Sequence, residues 1–235
     1  MKTLFLTAAV AAVSFASWTA QAQVKQSRQV RDFQMVSSSG GIDVVLSQGS
    51  NTSVVVEAAP EAQEHIVTEL DGNTLKIGWE RNYSWRNLLS SKRKATVYIT
   101  CPRLSGVALS GGADAKGQSN FSADNFTIDA SGGSDVKMTL TAKTLSIQAS
   151  GGSDVDLSGR VERQKVDVSG GSDYNGFELR SNTATVQASG GSDINLTVDG
   201  ELSSNASGGS DIRYKGNARV ANSSSSGGGS VRRAN

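Results

Sequence analysis

Six aspartates recur along the second half of the 235-residue chain: Asp114, Asp135, Asp154, Asp173, Asp193 and Asp211. Each closes a Ser-Gly-Gly-Ser-Asp element, with alanine replacing the second serine in the first copy. Carboxylates placed once per repeat offer three kinds of chemistry. They can coordinate Ca²⁺, which takes carboxylate and carbonyl oxygens. They can serve a polysaccharide-active enzyme built on a β-helix. Or they can accept hydrogen bonds from turn N–H groups and serine hydroxyls, fastening the corner in which they sit. Carboxylates stacked at strand spacing repel by roughly 1 kcal/mol even at the dielectric of water, so something must offset them. The structural role is the stronger reading. Calcium-binding solenoids carry a shorter repeat with a third glycine, only one aspartate per repeat falls at this corner, and no basic column is expected beside the acidic one.

Other reactive side chains are few. His65 is the single histidine, away from the recurrent Ser and Asp, and reads as a surface residue. Cys101, the single cysteine, rules out an intramolecular disulfide and reads as a small buried residue near a strand end. The segment from Trp79 to Lys94 gathers Tyr83, Trp85 and Arg86 among five basic residues. Aromatic rings beside arginine suit sugar stacking or a protein contact, or else the rings cover one end of the fold.

The elements that position the aspartates are the repeats themselves. Successive Ser-Gly-Gly elements begin at Ser110, Ser131, Ser150, Ser169, Ser189, Ser207 and Ser226, with spacings of 21, 19, 19, 20, 18 and 19 residues. The last copy is decayed, with Ser230 in place of aspartate. Period-two alternation flanks each corner, as in Leu145, Ile147, Ala149 and Val155, Leu157, which marks strands with one buried face. A second turn is expected at Ser158-Gly159 and Asp199-Gly200. A two-strand unit cannot bury its apolar edge alone, so the units must stack, like over like. The expected fold is all-β: a right-handed parallel β-helix with ~19-residue coils, about 30 Å long over six intervals of ~4.8 Å, with a narrow dry interior. Paired glycines suit the corners, where φ > 0 is needed and stacking leaves no room for a column of Cβ atoms.

Residues 23–104 form a less regular β half. Ser39-Gly40-Gly41-Ile42-Asp43 reads as a distant, one-residue-longer corner. Pro60 to Leu70 reads as a short helix with proline in its first turn, and Asp71-Gly72-Asn73 as a tight turn. This half is expected to cap or continue the solenoid of residues 105–230, leaving 231–235 as a tail. Lys2, the apolar run from Leu4 to Trp18 and Ala20-Gln21-Ala22 make residues 1–22 a cleavable signal peptide, too short in its apolar run to span a bilayer. Its removal leaves 22 basic and 22 acidic residues, a balance that argues against nucleic acid.

These elements resemble the auto-transporter adhesin, head GIN domain family of exported bacterial proteins. The residues that carry the likeness are Phe33, Gly41-Ile-Asp-Val-Val-Leu-Ser-Gln-Gly49, Leu75-Lys-Ile, Val97-Tyr-Ile-Thr-Cys-Pro-Arg-Leu104 and Leu109-Ser-Gly-Gly-Ala-Asp114 leading into the repeats. The resemblance implies a β-helical fold, an extracytoplasmic location and adhesion, with no catalytic residues to transfer. A glycan or an envelope protein is the expected partner, no cofactor is required, and assembly of several copies stays open.

Overall fold

A computed structural model describes residues 23–81 and 94–234. The signal segment and Tyr83, Trp85 and Arg86 lie outside the described residues. The described strands are β1 (Val24–Arg28), β2 (Met35–Ser39), β3 (Ile42–Gln48), β4 (Ser53–Ala58), β5 (Ile66–Asp71), β6 (Thr74–Trp79), β7 (Ala95–Cys101) and β8 (Gly106–Ser110). They continue as β9 (Ala115–Ser131), β10 (Asp135–Ser150), β11 (Asp154–Val168), β12 (Asp173–Ala188), β13 (Asp193–Ala206), β14 (Asp211–Lys215), β15 (Arg219–Ser225) and β16 (Ser230–Arg233). One helix, α1 (Pro60–Gln63), interrupts them. The result is a parallel β-solenoid of about seven turns.

From β9 to β13 each coil is one strand running from glycine corner to glycine corner, paired in parallel with its equivalent; in the next coil it divides into β14 and β15, both paired with β13. Val136 lies between Ala115 and Val155, Ile147 between Ile128 and Val166, and Ala149 between Ala130 and Val168. Inward residues follow period two through Val136, Met138, Leu140 and Ala142, then resume at Leu145, Ile147 and Ala149. The slipped phase at Lys143-Thr144 is a bend. The same slip occurs at Asp124-Asn125, Glu162-Arg163 and Asn182-Thr183. The second turn was therefore correctly expected at Asp199-Gly200 but not at Ser158-Gly159. Those two residues stay inside β11, opposite Thr139 and Leu140. There Gly159 has φ +115°, and a Cβ would lie 2.1 Å from the Leu140 carbonyl oxygen, so it kinks a continuous strand.

The uneven spacing of the corners has a local cause. Lys116 and Asn120 face Lys137 and Thr139, so the 21-residue interval places its two extra residues in a bulge at 117–119. Likewise Asn175 and Glu178 face Asp156 and Ser158, which absorbs the one extra residue of the 20-residue interval. Gly176 in this second bulge leaves room for Tyr174, whose buried hydroxyl donates to Gln164 Oε1 (2.9 Å) while Gln164 Nε2 donates to Ser181 Oγ (2.7 Å). These internal polar groups are paired, as burial demands.

Spatial order departs from chain order in the N-terminal half. β2 lies between β6 and β8, and β3 between β7 and β9, all parallel. The first coil in sequence is thus the second in space. Outside it, β5 pairs antiparallel with β6, β4 with β7 and β1 with β4, covering the end that bare parallel strands would expose. The Ser39 corner is not longer than the others. Ser39 pairs with Ser110, and Ile42 takes the inner position held elsewhere by Ala113 or serine. The helix is shorter than expected, because β-branched Ile66, Val67 and Thr68 join β5 and pair with β6 across the turn at Gly72. β16 pairs with β14, so Val231 to Arg233, read as tail from the sequence, lie in the last coil.

Inside the corners, Ser134, Ser153, Ser172, Ser192 and Ser210 are fully buried. Four of these hydroxyls staple their own turn, as where Ser134 Oγ donates to the Ser131 carbonyl (2.9 Å) and Ser210 Oγ to that of Ser207 (2.8 Å), while Ser172 Oγ accepts the Gly152 and Ser153 N–H groups of the preceding coil. The two glycines differ. At Gly208 φ is +72°, and a Cβ would lie 2.8 Å from the Gly190 carbonyl oxygen. Gly209 has no positive φ, its nearest neighbour would be 3.6 Å away, and its N–H donates to the Gly190 carbonyl (2.7 Å). The expectation that both glycine columns lack room therefore holds only for the first; at Gly152 a Cβ meets nothing within 4 Å, and only its φ of +95° disfavours a side chain. Gly208→Ala should lower unfolding stability by about 2 kcal/mol, against less than about 0.5 kcal/mol for Gly209→Ala. Paired denaturant titrations check this difference.

Candidate functional site

Strand register sets Asp135, Asp154, Asp173, Asp193 and Asp211 opposite one another. Asp114 joins them: its Oδ1 accepts the Asp135 N–H (3.1 Å). The column begins one coil earlier than the repeats suggest, because Asp43 Oδ1 accepts the Asp114 N–H (3.3 Å). Asp173 Oδ1 accepts the Asp193 N–H in the same way (3.1 Å). These carboxylates are thus engaged with the main chain of the following coil.

The acidic column does have cations beside it, contrary to the sequence reading. Two residues further on, the same face carries Lys116, Lys137, Asp156, Asn175, Asn195, Arg213 and Arg232 in register. The column is hard to see in sequence because its charge changes along the rod. At the C-terminal end Arg213 reaches Asp193 (3.3 Å) and Asp211 (2.9 Å), and Arg232 reaches Asp211 (2.8 Å). The Ser230 hydroxyl and these arginines hold the Asp211 carboxyl below the ordinary range. At mid-column burial, reinforced by Asp135, Asp173 and Asp156, pushes Asp154 up. Burial also raises Asp43. No three His, Cys, Asp or Glu among the described residues gather so as to hold a metal ion. Cys101 is buried at the end of β7, its thiol pushed up to about 11 by desolvation, and His65 sits at the surface with Nδ1 3.2 Å from Glu80.

A long cleft among the described residues lies elsewhere, at the second bend, where no site was expected from the sequence. It has a volume of about 710 Å³ and spans five coils, hence about 20 Å along the rod. Its floor is Ala123, Ala142, Val161 and Ser181, small residues stacked in register. One wall is the row Ser122, Thr141, Arg160, Arg180; the other is the bend itself, with Asp124, Lys143, Glu162 and Asp199. Lys143 pairs with Asp124 (2.7 Å), Arg180 with Asp199 (2.9 Å) and Glu162 with Arg163 (3.7 Å). Columnar alignment of the outward residues before each bend would have revealed this groove, had the bends been placed correctly. Among the described residues no helix is long and apolar enough to cross a membrane.

A capped parallel solenoid with an elongated groove fits an adhesin-like module. The chain belongs to the family described as "putative auto-transporter adhesin, head GIN domain", whose model matches residues 32–218. It is similar in fold to a putative adhesin from Bacteroides fragilis NCTC 9343, at 22% identity and a TM-score of 0.84, covering 92% of this chain and 98% of that one. A putative adhesin from Parabacteroides distasonis ATCC 8503 matches at 20% identity and a TM-score of 0.74 over the same shares. A putative lipid binding protein from the same organism matches at 17% identity and a TM-score of 0.70, again over 92% and 98%. No curated protein matches the chain.

The middle and the C-terminal end of the acidic column should respond oppositely to pH. Asp211, held below the ordinary carboxyl value, contributes stability at neutral pH that is lost as pH falls through its folded pKa. Asp154, held above it, opposes folding when ionised, and that opposition is relieved as pH falls through its raised folded pKa. Asp154→Asn should therefore stabilise at pH 7 by about 0.5 kcal/mol, the scale of like charges opposed on a sheet, and Asp211→Asn should destabilise. Both effects should shrink in thermal melts as pH falls through the two folded pKa values.

Proposed function

We propose that this protein is an exported, non-enzymatic adhesin-like module that holds an extended glycan along the groove at the second bend. The reading rests on one observation: the groove crosses five coils of one ladder, so side chains project into it from equivalent positions at strand spacing along its length. Such a surface suits a repeating polymer better than a compact small molecule. The carboxylates that line it, Asp124, Glu162 and Asp199, each hold a cation, which ill suits a free acid–base pair. A lipid, as in the name of one structural neighbour, would need an apolar interior, and here the inner positions of the described coils are filled by their own side chains. The signal-like residues 1–22 and the family support an extracytoplasmic location.

A glycan array followed by a product assay on each hit tests this. Binding without shortening of the bound chain is expected. Thr141→Trp, which fills the groove from an exposed wall position, should weaken binding about tenfold or more with an unchanged melting temperature. Release of shortened products, or full binding by the tryptophan variant, would refute the proposal.

A further inference from the structure

The charges of the groove are not evenly matched. Four cations line it, Arg103, Lys143, Arg160 and Arg180, against three carboxylates. Lys143 is taken by Asp124; Arg180 donates through both Nε (3.2 Å) and Nη2 (2.9 Å) to Asp199; Glu162 is taken by Arg163, which does not line the groove. Among the described residues, the groove charges left without an opposite partner within ion-pair distance are thus Arg103 and Arg160, both exposed.

Their placement is fixed by the fold. Arg103 follows Pro102, whose carbonyl accepts from Gln48 Nε2 (2.9 Å), while Gln48 Oε1 accepts the Ser122 N–H (2.9 Å). This seats Arg103 at the Ser122 end. Arg160 stands two coils further along the same wall, past Thr141, about 10 Å from Ser122 at strand spacing. Between them lies the small-residue floor of Ala123 and Ala142.

We infer that the groove takes a linear anionic glycan, with carboxylate or sulfate groups seated on Arg103 and Arg160. The inference rests on the glycan reading above and names the ligand's charge. A neutral polymer offers two unpaired guanidinium groups only uncharged hydroxyl acceptors in place of their water, which disfavours it. An anionic one replaces that water with charge-assisted, bidentate hydrogen bonds, for which the guanidinium fork is shaped. Two cations separated along the groove select an anion that recurs along a polymer over a single small ion. Single-stranded nucleic acid fits less well, because its binders stack bases on aromatic rings and none lines this groove.

The experiment measures binding of the full chain to immobilised polygalacturonate, dextran sulfate, neutral dextran and a single-stranded oligonucleotide at low and high salt. At least one anionic glycan should bind about tenfold or more tighter than dextran and weaken with salt, and preference between the two anionic polymers assigns carboxylate or sulfate. Arg103→Gln and Arg160→Gln should each weaken that binding about tenfold with unchanged melting, whereas Lys165→Gln, on another face, should not. Dextran bound equally well, or arginine variants that bind normally, would overturn the charge inference and leave the glycan reading standing. An oligonucleotide bound as tightly as the glycans would overturn it too, and no glycan bound at all would sink both.

Discussion

The parallel ladder between successive coils is the constraint on which the rest depends. A coil of about 19 residues has no partner for its own backbone and no core of its own, so both come only from the coils above and below. Stacking in register satisfies both at once, and it has a second effect: whatever residue type occurs at one position is multiplied into a column. For Ile128, Ile147, Val166 and Val186 the multiplication builds the core. For serine at the inner corner it builds a row of buried hydroxyls, each of which must find a hydrogen-bond partner nearby. For aspartate it concentrates negative charge, and the structure answers by turning carboxylates into acceptors for the next coil's N–H and by placing Arg213 and Arg232 where the column ends.

Ladders also need ends and tolerance for error. The N-terminal end is closed by changing strand direction, with β1, β4 and β5 running antiparallel to their neighbours. Tolerance is provided by bulges at 117–119 and near Gly176, which take up extra residues and let the strands on either side return to register. The corners themselves change along the rod: Gly111 and Gly112 both have positive φ, but of Gly190 and Gly191 only the first does. In the later form the corner peptides bond along the axis, extending the ladder through the turn.

Much of this was legible in the sequence, for reasons that can be named. The Gly-Gly spacing and period-two alternation are direct consequences of stacking, so the solenoid and the aspartate column could be read from them. Features set by tertiary pairing could not. Ile66, Val67 and Leu70 suit one side of a helix or a strand equally well, and pairing with β6 decides. The position of β2 and β3 between later coils leaves no local trace. The groove stayed hidden because it depends on where the strand bends, and Lys143-Thr144 or Glu162-Arg163 carry no turn residue, whereas Ser158-Gly159 looks like a turn and is not one. Gln164 and Tyr174 point inward because of each other, a pairing invisible to any pattern of hydrophobicity.

Chemical cross-linking of register partners tests the ladder most directly. Gln148 and Asp167 face each other on adjacent coils, whereas Lys165 faces Ser146. Cysteines at 148 and 167 fall within disulfide reach, and those at 148 and 165 are one pleat out of step. With Cys101 buried and its thiol raised, the first pair should oxidise rapidly and nearly completely in the folded protein and the second should lag far behind. Equal rates for the two pairs, or faster closure of the offset one, would contradict the in-register solenoid.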